Sequence, residues 1–577
     1  MGYTTETNNQ IVIGLLKYHK ISKVIVSPGA NNVSFVASIQ TDPFFEIYSC
    51  VDERSAAYMA CGIAAETGEP VVLSCTGATA SRNYLPGLTE AYYRHLPVLA
   101  ITSTMPIVRI GHNVPQCIDR NNVINDVAKL SVHIPLIKDD EDEWICNLRA
   151  NEAILELRHG LYGPVHINLE TNQGGSFNAK ILTGINPIDR IRINDKFILP
   201  EGKIAIFVGS HLKWNDELIN VVDEFCEKYN SVVICDHTSN YKGKYPYLAA
   251  VTSMQEKFYS DNLKNMILIH IGDTSGSYIK LNPKEVWRVS ADGRLCDYFH
   301  KLRYVFEMDE FIFFEKMNSL IDNIDKKMNY YCLCEEEYKN LINIIPDLPF
   351  SNMWIAQFMT KKIPERSVLH LGILNSLRSW NLFEISKTIM VYSNTGGFGI
   401  DGCISSMLGA SIVNSDLLYF GVVGDLAFFY DMNSMGNRHC GANMRIMVIN
   451  NGCGQEFKNY GHRASQFGDE TDSFIAAARH FGNKSNRLLK NYCVNLGFEY
   501  MSANDKNEFI SCIDKFTSKN KTEKSIVFEV FTNTIDETYA TKIICNLAVS
   551  PSASVKKVIK NVLGDKGVNT LKKILKG

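Results

Sequence analysis

The residues best equipped for chemistry lie where apolar runs end. In GDLAFFYDMNSMGNRHCGANMRIMVINNGCG an acid directly follows one such run, Gly424-Asp425, and two asparagines follow the next, Asn450-Asn451. Positions 425 and 451 are far enough apart for a helix and a return strand, so both can stand at neighbouring strand ends of a parallel sheet. An Asp carboxylate, an Asn carbonyl and a nearby backbone carbonyl are hard oxygen donors, a set that suits Mg²⁺ holding a diphosphate. The glycines, Gly424 and Gly452 among them, let backbone approach phosphate closely, and a helix beginning near Ala427 aims its first amides at the anion. The plain alternative is an N-capping Asp and a turn of two asparagines. On these residues alone the two readings have equal weight.

A second candidate is Glu53, in VDERSAAYMACG, at the start of a helix packed with alanine and glycine. Its bland role is to complement a helix N-terminus, a contribution of some tenths of a kcal/mol. The next strand ends in the turn TGATASRNY, which holds Thr76, Gly77 and Asn83.

Such residues need elements to place them. From Ile11 to Gln173 amphipathic helices alternate with short β-branched runs, among them KVIVSPG, PVVLSCTG, LPVLAITS and GPVHINLE. This alternation predicts a parallel sheet with helices on both faces and ligands beyond the carboxyl ends of its strands. A polar stretch from Asn186 to Glu201 reads as a linker. KIAIFVGS, SVVICDHT, NMILIHIGD and EVWRVSADG then form a second α/β unit, whose first turn, VGSHLKWND, has one glycine where a dinucleotide site needs three. Lys326 to Leu348 is charged and reads as a helical connection. A third unit has SVLHLGI, TIMVYSN, LLYFGVVGD, RIMVINNG and SIVFEVFT as strands. The expected fold is therefore α/β, with three doubly wound parallel-sheet domains over 1–185, 190–335 and 350–548. Residues 549–577 are expected to form a basic amphipathic tail, a surface or partner helix.

Composition excludes more than it identifies. A chain of 577 residues exceeds one hydrophobic core, and its 45% hydrophobic and 21% charged fractions are those of ordinary globular proteins. A formal charge of -3 gives no drive toward nucleic acid. No apolar run is long enough to span a bilayer, and no secretory signal is visible at the start, so a cytoplasmic location is expected. The 16 cysteines are scattered without a C-x-x-C pair, which favours reduced thiols over a zinc site or disulfide framework.

The GD…NN run resembles the diphosphate-binding motif of thiamine diphosphate enzymes, with Leu426 where many members carry a third glycine. The resemblance implies that Gly424, Asp425, Leu426, Asn451, Gly452 and Cys453 bind the cofactor. It also implies that Asp425, Asn451 and the backbone carbonyl of Cys453 hold Mg²⁺, with Mn²⁺ as an alternative. On the same resemblance Glu53 is the catalytic glutamate placed against N1′ of the aminopyrimidine, where it promotes removal of the thiazolium C2 proton by the 4′-nitrogen. Thr76, Gly77 and Asn83 belong to that half of the site. The first domain is then pyrimidine-binding, the third diphosphate-binding and the second central. No FAD is expected, because the middle unit lacks a glycine-rich phosphate loop. The segments SPG, VDERSAA, CTGATASRNYLPGLTEA, YSNTGGFGIDG, VVGDLAFFYDMN and NNGCGQEF are similar to those of the menaquinone-pathway synthase family that joins 2-oxoglutarate to isochorismate. Since those sites combine the pyrimidine domain of one subunit with the diphosphate domain of another, a homodimer or homotetramer is implied.

The departures concern the substrate. Asn31 and Asn32 stand in SPGANN where that family has SPGSRS, TSTMP (Thr102 to Pro106) replaces a TADRP-like strand end, and Thr395 replaces the arginine of YSNRG. Glu456 replaces an apolar residue. Threonine and asparagine cannot replace an arginine fork on a carboxylate. The substrate set is therefore read as Asn31, Asn32, Gln116, Arg378, Thr395, Gln455 and Glu456, with Asn375, Arg82, Arg120 and His112 as further pocket or anion contacts. The expected reaction is decarboxylation of a small 2-oxo acid with transfer of the acyl anion equivalent to a neutral or sugar-like carbonyl acceptor. The alternatives are release of an aldehyde and the 2-oxoglutarate plus isochorismate reaction itself. A non-catalytic binding homologue is disfavoured by the intact Glu53 and GD…NN pair.

Overall fold

The computed structural model describes residues 2–119, 123–321, 329–480 and 485–548. The basic tail expected over 549–577, and Arg120, lie outside them. By compactness the chain divides into two units, Met1–Asp195 with Asp292–Glu307, and Lys196–Ala291 with Met308–Gly577.

The first unit is built on a six-stranded parallel sheet with the spatial order Glu46–Ser49, Lys23–Val26, Val71–Thr76, Val98–Thr104, Val165–Glu170, Leu130–Ile134. Its central strands are buried on both faces; Val71–Thr76 and Val98–Thr104 are apolar but for small hydroxyl residues and Cys75, while Val165–Glu170 alternates apolar side chains with His166, Asn168 and Glu170, which are buried all the same. One face carries a core of Ile11, Leu15, Leu16, Phe35, Ile101 and Ile167, to which Ala150 and Ile154 of the helix Asp140–Glu156 contribute. On the other, Ala56, Ala57, Ala60, Cys61 and Ala64 line the buried stripe of the helix Glu53–Thr67 and pack with Leu88 and Ala91. Helices on both faces make the sheet doubly wound, as expected.

The stretch read as a linker contains a strand, Asp189–Arg192, paired in parallel with Leu302–Glu307. Polar side chains hide it in the sequence; only Ile188 and Ile191 are buried there.

The second unit holds two further parallel arrays. One has the order Pro246–Tyr247, Val232–Cys235, Ile204–Val208, Ile267–Ile271, Glu285–Val289. The other runs Met390–Tyr392, Val368–Leu371, Tyr419–Gly424, Met444–Asn450, Ile526–Phe531, Glu499–Ala503. Every strand pairing described is parallel, which confirms the α/β class. The connection read as helical contains the helix Asn329–Asn343. None of the 16 cysteines forms a disulfide. Among the described residues no helix is long and apolar enough to cross a membrane.

Candidate active site

In the second unit the strands Tyr419–Gly424 and Met444–Asn450 are parallel neighbours in a register that sets Gly424 against Ile449. Their carboxyl ends therefore deliver Asp425 and Asn451 to one edge of the sheet. The helix after the first strand starts at Asp425 itself, two residues earlier than expected, and ends at Asp431. Asp425 is 6% exposed and accepts a hydrogen bond from the Gly452 N–H at 3.0 Å. Gly452 has φ +79°, a conformation costly for any residue with a Cβ, and this turns the loop across the Asp425 carboxylate.

The two asparagines have different work. The Asn450 amide donates to Glu529 Oε1 at 2.7 Å beneath the sheet edge. Asn451 is only half-buried, and its Oδ1 accepts from the Cys453 N–H at 3.3 Å. Burial raises the pKa of the Cys453 thiol, which disfavours a thiolate and leaves this residue's carbonyl as its hard donor. Among the described residues no three His, Cys, Asp or Glu side chains converge as a metal site. A cation at this edge would rest on one carboxylate with amide and backbone oxygens, a donor set that fits Mg²⁺. Gly424 and Leu426 flank Asp425 and are half-buried.

In the first unit Glu53 opens the helix Glu53–Thr67, which Asp52 caps by accepting from the Arg54 N–H and Gly68 ends at φ +68°. Glu53 is half-buried, and its Oε2 accepts from Asn83 Nδ2 at 3.1 Å. The helix approaches its neighbour Leu85–Tyr93 through Gly87: a Cβ there would collide with Ala57 Cβ and lie 2.9 Å from the Ala57 carbonyl carbon. Thr76 ends its strand under the loop from Ser27, where a Cβ on Gly29 would come within 2.6 Å of Thr76 Cβ. Gly77 follows, buried.

The other expected substrate residues divide between the two units. Asn31 is 1% exposed; its N–H donates to Thr76 Oγ1 at 3.3 Å, its amide nitrogen reaches Gln116 Oε1 at 3.5 Å, and its Oδ1 accepts from Gln173 Nε2. Asn32 turns inward, donating to Ser27 O at 3.0 Å and Ser74 Oγ at 3.4 Å. Arg82 donates to the Asp119 carbonyl, and His112 is exposed. In the second unit Arg378 forms an ion pair with Glu456, and Gln455 spends its amide on Asn459 Oδ1 at 3.1 Å and Thr538 Oγ1 at 3.3 Å. Thr395 is buried. Sequence reasoning missed Gln173, Asn459, Tyr278 and Glu537. Tertiary folding brings each into place, and none sits in a motif that marks it.

Residues 7–123 match the thiamine pyrophosphate enzyme N-terminal TPP-binding domain family. A 2-succinyl-5-enolpyruvyl-6-hydroxy-3-cyclohexene-1-carboxylate synthase of Bacteroides thetaiotaomicron is 31% identical over 558 residues, spanning 92% of this chain and 97% of its own length. Its counterpart from Phocaeicola vulgatus is 30% identical over 92% of this chain and 96% of its own length. A more distant one, from Flavobacterium psychrophilum, is 27% identical over 91% and 96%. With the parallel α/β sheets and the acid and amide groups at their strand ends, these relationships show that the chain belongs to the thiamine pyrophosphate-dependent family of 2-succinyl-5-enolpyruvyl-6-hydroxy-3-cyclohexene-1-carboxylate synthases.

Proposed function

We propose that this enzyme decarboxylates a 2-oxo acid and joins the remaining acyl fragment to an acceptor. The observation that carries the reading is its likeness, over 92% of the chain, to a 2-succinyl-5-enolpyruvyl-6-hydroxy-3-cyclohexene-1-carboxylate synthase. The C1–C2 bond of the acid breaks, CO₂ leaves, and the electron pair left on C2 forms the new bond to the acceptor carbon. When bound, thiamine diphosphate supplies the electron sink for that pair.

The protein's part is to position groups and to move protons. Glu53 is proposed to hold a proton at N1′ of the aminopyrimidine, with Asn83 fixing its carboxylate and Thr76 and Gly77 lining that half. Asp425, Asn451 and the Cys453 carbonyl are proposed to hold Mg²⁺, or Mn²⁺ in its place, and Gly424, Leu426 and Gly452 to border the diphosphate. A homodimer or homotetramer, in which Glu53 of one copy serves Asp425 of another, belongs to the same proposal, as do the three domains at 1–185, 190–335 and 350–548.

For the substrates, likeness to the synthases supports the pair implied by the sequence resemblance, 2-oxoglutarate and isochorismate, more than the neutral acceptor expected from the pocket residues. A second reading, with a small 2-oxo acid as donor, is favoured by one observation: Arg378 is already paired with Glu456. The test is incubation with thiamine diphosphate, Mg²⁺ and a panel of 2-oxo acids, with and without isochorismate or aldehydes, followed by CO₂ measurement and mass spectrometry. An adduct of the acyl fragment and an acceptor supports the reading. An aldehyde as the sole product under all conditions sinks it in favour of simple decarboxylation.

A further inference from the structure

A cavity of about 330 Å³ in the second unit opens beside the loop that carries Asn451 and Cys453; Ser277, Tyr278, Asn375, Arg378, Glu456 and Asn459 are among the residues that line it. Glu456 lies on the turn Gln455–Lys458, which continues that loop directly.

Among the described residues that line the cavity, Arg378 alone carries a guanidinium, and its Nη1 is taken. Arg378 Nη1 is paired with Glu456 Oε1, and the guanidinium lies 4.9 Å from the centroid of the Tyr278 ring. The two side chains are 26% and 17% exposed, so water screens the pair only partly. The Asn375 side-chain amide packs against Glu456, within 3.1 Å of its Oε2 and 3.2 Å of its backbone nitrogen. A second carboxylate on the wall, Glu537, accepts from the Asn352 N–H at 3.1 Å and from Thr532 Oγ1 at 2.7 Å, and offers nothing to an anion.

We propose that Glu456 is a specificity-determining residue that fills the anion site of Arg378 and thereby selects, as donor, monocarboxylic 2-oxo acids with an uncharged side chain. The inference rests on the reaction class proposed above and takes the second of its substrate readings. The carboxylate that departs as CO₂ needs no guanidinium. A distal carboxylate drawn to the Arg378 guanidinium must here displace a tethered competitor that is already paired with it.

The test compares holoenzyme loaded with thiamine diphosphate and Mg²⁺ as wild type, Glu456→Gln, and Glu456→Gln with Arg378→Gln. Wild type is expected to release CO₂ from 2-oxobutyrate with a kcat/KM at least tenfold above that for 2-oxoglutarate, and Glu456→Gln to move this ratio at least tenfold toward 2-oxoglutarate. By calorimetry, succinate is expected to bind Glu456→Gln at least tenfold more tightly than wild type, and the double variant to lose the gain. A wild-type preference for 2-oxoglutarate overturns the proposal, as does succinate binding that is equal or absent in all three forms. If no 2-oxo acid releases CO₂, the reaction class fails, while the succinate series, which needs no turnover, still decides whether Glu456 occupies Arg378.

Discussion

Gly87→Ala tests whether the helix that presents Glu53 is held by close packing. A Cβ at Gly87 would lie 2.9 Å from the Ala57 carbonyl carbon and 3.1 Å from its Cα, whereas ordinary contact begins at 3.4 Å. The shortfall against the first atom is 0.5 Å (3.4 less 2.9), and because that atom is backbone no side-chain rotation relieves it. The helices must part, at a cost of about 1–3 kcal/mol for overpacking. Alanine's advantage over glycine within a helix returns at most about 1 kcal/mol. A net loss of up to about 2 kcal/mol in urea unfolding is expected. Because Glu53 rides on the displaced helix, turnover should fall by roughly 10- to 100-fold. Adding Ala57→Gly removes the Cβ–Cβ collision, so the pair should show a favourable coupling of about 0.5 kcal/mol or more. Wild-type stability and turnover in Gly87→Ala, with no coupling in the double variant, would refute the claim that this contact sets the position of Glu53.

Asp425→Asn keeps the shape of the sheet edge but removes its carboxylate and weakens the acceptor for the Gly452 N–H. Mg²⁺-dependent binding of thiamine diphosphate, measured by calorimetry, should weaken by roughly 10- to 100-fold, the equivalent of about 1.5–3 kcal/mol for a charge-assisted hydrogen bond. Gly452→Ala forces a Cβ onto φ +79° and should cost about 1–2 kcal/mol of stability in urea, along with weaker cofactor binding. Glu537 is buried, and burial raises its carboxyl pKa to about 7 from the ordinary value of 4.5. With the folded value the higher, its contribution to stability is complete below about 4.5 and lost as pH rises toward 7. The stability of Glu537→Gln relative to wild type should therefore climb between about pH 4.5 and 7 and level off above, in urea titrations across that range. A flat difference would mean that Glu537 ionises normally.

The sheets were legible where strands are buried on both faces. Val71–Thr76 and Met444–Asn450 stand out as mostly apolar runs, although Ser74 and Arg445 are buried within them. Edge strands were not: Glu46–Ser49 is largely exposed and Asp189–Arg192 has one buried position, so neither carries a hydrophobic signal. Asp425 and Asn451 were legible only through the resemblance of the GD…NN run, because an N-capping Asp and a turn of asparagines explain the same residues equally well. Their placement on adjacent strands needed only the parallel rule. The Arg378–Glu456 pair joins residues 78 positions apart, and the Asn83–Glu53 hydrogen bond spans 30, so each depends on folding that no local pattern encodes. Gly87 likewise looks like an ordinary helix residue until Ala57 is brought against it.

The central claim is that Glu53 governs a proton in thiamine diphosphate chemistry while the Asp425 edge holds the cofactor. Its most direct test is CO₂ release from the best 2-oxo acid by wild type and Glu53→Gln, with cofactor affinity measured on the same samples. The account predicts release that requires both thiamine diphosphate and Mg²⁺, and a drop of roughly 100- to 10,000-fold in the variant with cofactor affinity nearly unchanged. Equal turnover in the two proteins, or release without added cofactor from protein stripped of it, would contradict the account.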